Sequence, residues 1–183
     1  MLEVGEKVRY ASIGAGKVVR HEERKFQGSE RIFAVVFFPH KNMDVHLLVG
    51  DKKTLDKISK VYSKTKLKAE LRRLEDIAET LPRTWDIREQ TGDQVIGSGD
   101  PSEWIKLLAS YAYAEGAGVS VAASDADIVR SLKELVSAEL ACADHMEHDE
   151  ASDYVDAAYN RVVKRIGKRG LETEHFAGVE IDA

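Results

Sequence analysis

Short apolar segments of strand length, separated by turn residues, dominate the first fifty residues of the chain. Alternate residues from Met43 to Val49 are apolar, which predicts a strand with one buried face. The connecting segments are short and rich in Gly, Ser, Pro and Asn, the residues that favour tight turns. The pattern predicts four antiparallel strands, Lys7–Tyr10, Lys17–Glu22, Ile32–Phe38 and Met43–Val49. Such strands are typical of a small Tudor-like or SH3-like β-barrel.

After residue 65 the apolar residues recur every three or four positions, the period of a helix that buries one face. The first stripe predicts a helix over 66–81 that ends before Pro82. Asp100 and Pro101 predict another start, since both types favour a helix N-terminus, and Ser124 with Asp127 predicts a third helix. A fourth helix extends to Ile166. The residues predicted to be buried are Leu67, Leu71, Leu74, Ile77, Leu81, Trp104, Leu108, Tyr111, Ile128, Leu132, Leu135, Val136, Val155, Ala158, Val162 and Ile166.

Together these patterns predict an α+β fold in which a small antiparallel Tudor-like or SH3-like barrel precedes a compact all-helical domain. The barrel is expected over 1–52, a basic linker over 53–65, the helical domain over 66–166 and a flexible tail over 167–183.

The composition excludes several classes of protein. The chain has 183 residues with 13 Gly, 3 Pro and 1 Cys, which excludes collagen-like, low-complexity and disulfide-stabilised folds. The N-terminus lacks the apolar segment of a signal peptide, and no apolar run reaches the roughly 20 residues that span a bilayer. We therefore expect a cytoplasmic protein that does not associate with membranes.

The net charge of −5 conceals an uneven distribution. Residues 52–73 contain nine Lys and Arg and two acids, whereas residues 139–156 contain seven acids and no Lys or Arg. The basic segment is either a solvated linker and helix face or a positive strip that guides a phosphate backbone. The acidic total argues against strong, indiscriminate DNA binding, which depends on many phosphate contacts.

Two segments resemble ligand-binding or catalytic motifs but lack necessary parts. Residues Ile13–Val18 resemble a phosphate loop. Such a loop needs Ser or Thr after its lysine, where this chain has Val18, and it precedes a helix, whereas this segment leads into a predicted strand. Cys142, His145 and Asp149 would share one face of a continuous helix and suit a divalent cation, although Cys142 also fits a buried apolar position. We expect no cofactor, no bound metal and no catalytic residue. A metal-dependent or thiol enzyme built around 142–149 is the least favoured alternative.

Trp85 follows the first predicted helix in the segment Leu81–Arg88 and has two interpretations. It either packs between helices, as most tryptophans do, or is exposed beside cations and stacks on a nucleic-acid base. The residue pattern alone leaves both open.

Several motifs, in consistent order from Val4 to Val163, resemble the CarD/CdnL family of bacterial RNA polymerase-binding transcription regulators. In this family a Tudor-like domain precedes a helical DNA-contacting domain. The matching motifs are Val4–Val8, Ile13–Gly16, Gly28, Phe37–Met43, Trp85–Arg88 and Ser98–Asp100.

The resemblance implies a non-enzymatic regulator, here expected to be a monomer. Its barrel would dock on the RNA polymerase β subunit by edge-strand pairing, with Arg24 and His46 at the family's charged docking positions. Trp85 would enter the minor groove at the upstream edge of the promoter bubble and stabilise the open complex largely independently of sequence. Arg88 would either meet a DNA phosphate or have a structural role.

The chain departs from the family pattern at three places. His46 stands where the family normally has arginine, which predicts weaker or pH-sensitive docking because histidine is mostly neutral at pH 7. Ala11 replaces a usual proline, and residues 89–94 are acidic to neutral where the family is basic. Phosphate contacts from 89–94 are therefore not expected. An alternative function is a polymerase-binding adaptor whose helical domain recruits another protein rather than DNA.

Overall fold

The N-terminal half is an antiparallel sheet in a computed structural model that describes residues 2–119 and 122–169. Its strands are β1 (Lys7–Tyr10), β2 (Gly14–Phe26), β3 (Ser29–Phe38), β4 (Met43–Leu48) and β5 (Ile58–Lys60). They pair in the order β4-β3-β2-β1-β5. The predicted α+β class is confirmed, and each of the four predicted strands is present, with β2 and β3 longer than expected.

The sheet does not close into the predicted barrel. Closure would require β4 to pair with β5, but in the described residues β4 pairs only with β3, and β5 only with β1. The reason lies in the strand lengths. β1 pairs only with residues 14–17 of β2, and β2 continues beyond β1 with a register shift between Val18 and Arg20, until residues 23–26 and 29–32 form a two-stranded ribbon with neither β1 nor β4 beside it. The result is an open sheet with two free edges.

The segment predicted as a basic linker, 53–65, contains regular structure. Helix α1 (Lys52–Leu55) begins at Asp51, whose side chain accepts a hydrogen bond from the backbone N–H of Thr54 at 3.1 Å. Strand β5 then pairs with β1 and completes the sheet. A three-residue strand is too short to leave a periodic signal, which explains why the sequence pattern missed it.

The C-terminal half consists of helices α2 (Lys64–Arg72), α3 (Leu74–Ile77), α4 (Trp85–Ser98), α5 (Pro101–Gly116), α6 (Ala123–Asp144) and α7 (His148–Arg169). The predicted helix over 66–81 is wrong in its continuity, because Arg73 leaves the helical conformation at φ −103° and ψ 19°. Arg161 of α7 donates to the backbone carbonyl of Leu71 at 2.9 Å and so satisfies the end of α2. The α5 start is confirmed, with the Asp100 carboxylate accepting from the Ser102 N–H. The tail predicted over 167–183 begins too early, because residues 167–169 belong to α7, and residues 170–183 lie outside the described residues.

The helices enclose the main apolar core. All of the residues predicted to be buried are buried except Ile77, which is partly exposed. A smaller cluster that includes Val18, Val36 and Phe38 covers one face of the sheet. In the described part of the chain, no helix combines the length and the hydrophobicity of a transmembrane span.

A buried ion pair joins the two halves. Arg9 of β1 donates to the Glu139 carboxylate of α6 at 2.7 Å, and the two side chains are 5% and 0% exposed. The backbone N–H of Tyr62 donates to the same carboxylate oxygen at 2.7 Å. Burial raises the pKa of Glu139, and the Arg9 charge and the Tyr62 N–H oppose that rise. Sheet, connecting segment and helices thus meet at one carboxylate, which fixes the two halves against each other.

Candidate functional site

Trp85 lies on the surface at the first position of α4. Its side chain is 52% exposed, and that of Ile87, two residues later, is 48% exposed. The other tryptophan, Trp104, is fully buried, and its indole N–H donates to the carbonyl of Val95 at 2.9 Å. Of the two interpretations of Trp85, the interhelical core is therefore excluded.

Arg88, one helical turn after Trp85, fixes the backbone segment that precedes α4. Thr84 is extended at φ −90° and ψ 142°, so the chain turns sharply into the helix at Trp85. The Nη1 of Arg88 folds back and donates to the carbonyls of Pro82 at 3.1 Å and Arg83 at 2.8 Å. Because these carbonyls precede the helix, Arg88 fixes the position from which the indole projects.

The Arg88 guanidinium is itself held by Asp125 in α6. Its Nε and Nη2 donate to the two carboxylate oxygens at 2.9 and 3.0 Å, and the side chains are 13% and 2% exposed. Asp125 also accepts from the Tyr111 hydroxyl at 3.1 Å and from the Ala122 N–H at 3.0 Å. Burial alone would raise the pKa of Asp125, but Arg88 and the other donors outweigh it and lower that pKa.

These contacts decide how Arg88 is best interpreted. Its Nε, Nη1 and Nη2 all donate within the protein, and its side chain is mostly buried. A phosphate contact would compete with the buried Asp125 carboxylate. The geometry therefore favours the structural alternative, in which Arg88 positions Trp85.

The predicted positive strip over 52–73 is not continuous. Lys64 and Lys68 both pair with Asp144, at 2.6 and 2.5 Å, which lowers the pKa of that carboxyl. Lys66 lies 3.5 Å from the centroid of the Tyr62 ring. Within 52–73, the exposed lysines for which no salt bridge is found among the described residues lie around α1 and β5, at positions 52, 53, 57 and 60. Helix α2 is thus largely neutralised, and the excess charge lies at the β5 edge.

The predicted docking residues, Arg24 on β2 and His46 on β4, come together through Glu22. The Glu22 Oε2 lies 2.5 Å from Arg24 Nη2 and 3.5 Å from His46 Nδ1. Arg20 binds the other oxygen of Glu22 at 2.7 Å, and this hydrogen bond is the main cause of the lowered pKa of Glu22. Sequence reasoning missed Glu22 and Arg20, although their two-residue spacing from Arg24 places all three on one face of β2.

Strand β4 forms a free edge of the sheet beside this charged face. It has one neighbour, β3, and the backbone N–H of Val49 donates to the carbonyl of Ile32 at 2.9 Å. Because antiparallel strands alternate the direction of their backbone groups, those of Asp44, His46 and Leu48 point away from β3. The Leu48 carbonyl accepts from the Asp51 N–H at 3.3 Å, whereas the groups of Asp44 and His46 have no backbone partner in the described residues and can pair with an added strand.

The proposed grouping of Cys142, His145 and Asp149 on one helix is wrong. Helix α6 ends at Asp144, and His145 adopts a left-handed conformation at φ 56° before α7 begins at His148. Burial raises the pKa of the Cys142 thiol to about 11, which disfavours the reactive thiolate. Within residues 2–119 and 122–169, no three His, Cys, Asp or Glu side chains converge on a possible metal position.

No protein-family model matches the chain, and no curated protein is significantly similar to it in sequence. The resemblance to CarD/CdnL regulators stays a prediction that rests on the quoted motifs. Two features of the described residues bear on function. They are the exposed Trp85, whose backbone is held by Arg88 and Asp125, and the free β4 edge beside Arg24 and His46.

Proposed function

We propose that this protein is a transcription regulator that docks on the β subunit of a bacterial RNA polymerase through β4. Trp85 then enters the minor groove at the upstream edge of the melted promoter and keeps the strands apart. No chemical step is involved, since the protein acts by binding one state of the DNA more tightly than the other.

The observation that carries the proposal is the exposure of Trp85 on a rigid support. Tryptophan suits an interaction surface because its ring is large and carries one polar N–H. The indole of Trp85 is half-exposed, while the carbonyls before it and the helix after it are held by Arg88 and Asp125. A rigid wedge loses little conformational entropy on binding.

The energetic requirement on this wedge is small. When the duplex opens, the base pair at the edge of the bubble loses a stacking neighbour, and an inserted aromatic ring replaces part of it. A differential binding energy of about 1.4 kcal/mol changes the ratio of open to closed complexes tenfold. The effect needs no contact to base edges, so it is largely independent of sequence.

The free edge of β4 supports the docking part of the proposal. Backbone groups on an edge strand pair with an added strand of a partner, and neighbouring side chains provide selectivity. Arg24 and His46 lie on the face next to that edge, linked by Glu22. The buried contact between Arg9 and Glu139 fixes the sheet against the helices, so docking at β4 determines where Trp85 lies.

The wedge is tested by the lifetime of open complexes formed with purified polymerase in the presence of the full chain. Trp85→Ala should shorten the lifetime about tenfold, toward that without the protein. Ile87→Ala, which removes a neighbouring exposed apolar side chain of the same helix, should shorten it much less. Unchanged lifetimes with Trp85→Ala on every promoter tested would exclude the wedge.

Docking is tested separately by binding of the full chain to the isolated polymerase β subunit. Arg24→Glu should weaken binding, because it reverses the charge beside the β4 edge. Lys25→Glu makes the same change in charge on the next residue, whose side chain points to the opposite face of β2, and should have little effect. Equal losses in both variants would show that net charge, and not this face, controls binding.

A second candidate is the adaptor, in which the helical half binds another protein. Its support is the acidic surface of α4, where Asp86, Glu89 and Asp93 are exposed next to Trp85 and Ile87 and would repel phosphates. Acrylamide quenching separates the two candidates, because the quenchable fluorescence belongs to Trp85 while Trp104 is buried. A forked promoter duplex should protect Trp85 from acrylamide if it is a wedge and leave it unprotected if the protein is an adaptor.

A further inference from the structure

Helix α7 changes charge along its length. Its first turn contains Asp149 and Glu150, whereas residues 157–169 contain five Lys and Arg and no acid. Four of these cations, Arg161, Lys164, Arg165 and Lys168, are exposed and line a shallow groove of about 550 Å³ with Ala157 and Asn160. We call these four residues the α7 basic face.

The spacing of the α7 basic face places its charges side by side. Positions 164, 165 and 168 follow position 161 by three, four and seven residues, so all four lie on one side of the helix. Like charges at these spacings destabilise a helix. The helix dipole favours cations only in the last turn, which does not account for Arg161 or Lys164. A strip of this kind suits a polyanion that offsets the repulsion.

The two arginines of the face are fixed by the neighbouring helices. Arg161 donates to the carbonyl of Leu71, and Arg165 Nη1 lies 2.8 Å from Glu75 Oε2. Lys164 and Lys168 make no salt bridge within the described residues. Anchored guanidinium groups therefore alternate with free ammonium groups along the face, an arrangement in which the lysines remain available for an outside anion.

Helix α5 contacts both α7, which carries the basic face, and Asp125, which holds Arg88 beside Trp85. Tyr111 of α5 donates to Asp125, the partner of Arg88. One turn later, Gly116 packs closely on Ile166 of α7, since a Cβ at Gly116 would lie 2.8 Å from the Ile166 Cβ. One rigid helix thus connects the wedge to the basic groove.

We propose that the α7 basic face binds the phosphodiester backbone of double-stranded DNA, as a second contact separate from the Trp85 wedge. The choice of DNA as the polyanion rests on the proposed function. The two arginines of the face are held by Leu71 and Glu75, which leaves the two lysines as flexible point charges, so the expected contact is to phosphates and is independent of sequence. It would hold the paired DNA that adjoins the opened segment.

The test measures binding of the full chain to a labelled, fully paired duplex over a range of salt concentrations. Replacing Lys164 and Lys168 by Gln should reduce the slope of log K against log salt by about 1.8, and weaken binding at least about tenfold at 0.1 M salt. The control Lys25→Gln/Arg31→Gln removes the same amount of charge from exposed positions of the β2–β3 ribbon and should leave the slope unchanged. Circular dichroism verifies that both variants are folded.

Failure of this proposal and failure of the wedge give different results. A wild-type chain that does not bind paired duplex, or a Lys164/Lys168 variant with an unchanged slope, overturns the proposal for α7, whatever Trp85→Ala does. A reduced slope together with an unaffected Trp85→Ala open complex supports the α7 contact and excludes only the wedge. A slope reduced equally by the control would also overturn the proposal, because general charge would then explain the binding.

Discussion

Arg88 and Asp125 form a bidentate ion pair that fixes the backbone beside a third residue, Trp85. The Nε and Nη2 of Arg88 donate to Asp125, and its Nη1 donates to the carbonyls of Pro82 and Arg83. Asp125 is in turn fixed by Tyr111 in the core. The backbone from which the exposed indole projects is thus connected to the buried interior of the helical half through a short series of hydrogen bonds.

Arg88→Lys tests this positioning role. A lysine has one ammonium group and cannot reach Asp125 and the carbonyls of Pro82 and Arg83 together. We expect the free energy of unfolding to fall by about 2 kcal/mol, because hydrogen bonds to a charged group are lost while one positive charge remains. Urea denaturation measures the loss, and the fluorescence anisotropy of Trp85 should fall because the indole moves more freely.

The matched control is Arg130→Lys, which alters the Arg130–Asp127 pair on the surface of α6, with side chains 76% and 66% exposed. It should leave the unfolding free energy nearly unchanged, since exposed pairs contribute little. If Arg88→Lys left stability unchanged and Arg88→Gln, which removes the charge, reduced the salt dependence of DNA binding, Arg88 would be a phosphate contact and the positioning role would be wrong.

The lowered pKa of Asp125 predicts a pH dependence of stability. Its burial opposes ionisation, but Arg88 and the other donors keep the folded pKa below the ordinary value of 3.8. The stabilisation is therefore complete above pH 3.8 and is lost as pH falls through the folded pKa. Asp125→Asn should be less stable than wild type at pH 6, and the difference should shrink toward pH 2. A difference that stayed constant across this range would show that the Asp125 charge is not the cause.

Periodicity predicted the α+β class and most of the core. Leu67, Leu71 and Val155 are examples of residues whose helical spacing alone indicated burial, because a helix packed on others must bury one stripe. The residue pattern did not decide whether Trp85 is buried or exposed, for a physical reason. An isolated tryptophan has no period, and Asp125, which holds Arg88 and so the backbone next to Trp85, is 37 residues from Arg88 in the chain.

The features that escaped prediction depend on contacts between distant segments. Barrel closure is decided by whether β4 meets β5, which no local pattern records. Helix α4 was not predicted, because Gly92 disfavours a helix by about 1 kcal/mol. In the structure Gly92 is buried against Ile128 of α6, so the glycine serves close helix packing rather than marking a break.

Gly92→Ala and Gly97→Ala should have opposite effects on stability, although both lie in α4. A Cβ at Gly92 would lie 2.8 Å from the Ile128 Cδ1, whereas a Cβ at Gly97 meets nothing within 4 Å. Gly97→Ala should therefore stabilise the protein by up to about 1 kcal/mol through helix propensity. Gly92→Ala should destabilise it, because α4 or Ile128 must move. Thermal unfolding measures both changes.

Ile128→Val distinguishes a steric effect at Gly92 from an effect on the helix itself. Valine removes the atom that the new Cβ would approach most closely. The double variant Gly92→Ala/Ile128→Val should be more stable than the sum of the single changes predicts, by at least about 0.5 kcal/mol. Strict additivity would mean that packing against Ile128 does not explain the glycine.

Arg9 and Glu139 should be strongly coupled, because each leaves the other as an unpaired buried charge when it is replaced. Arg9→Met and Glu139→Gln should each lower the unfolding free energy by about 3 kcal/mol or more, and the double variant should lose less than their sum. Additive losses would show that the two side chains contribute independently.

The pH dependence of Arg9→Met gives a second measure of the same pair. Burial already raises the pKa of Glu139 above its ordinary value of 4.5, and without the Arg9 charge the pKa should rise further. An acid with a raised folded pKa destabilises the protein as pH rises above its unfolded pKa, because the unfolded chain then releases the proton more readily. The cost of Arg9→Met should therefore be small near pH 4 and grow toward pH 7. A cost that is the same at both pH values would mean that lost packing of Arg9 against Tyr62 and Trp104, rather than the unpaired carboxylate, destabilises the variant.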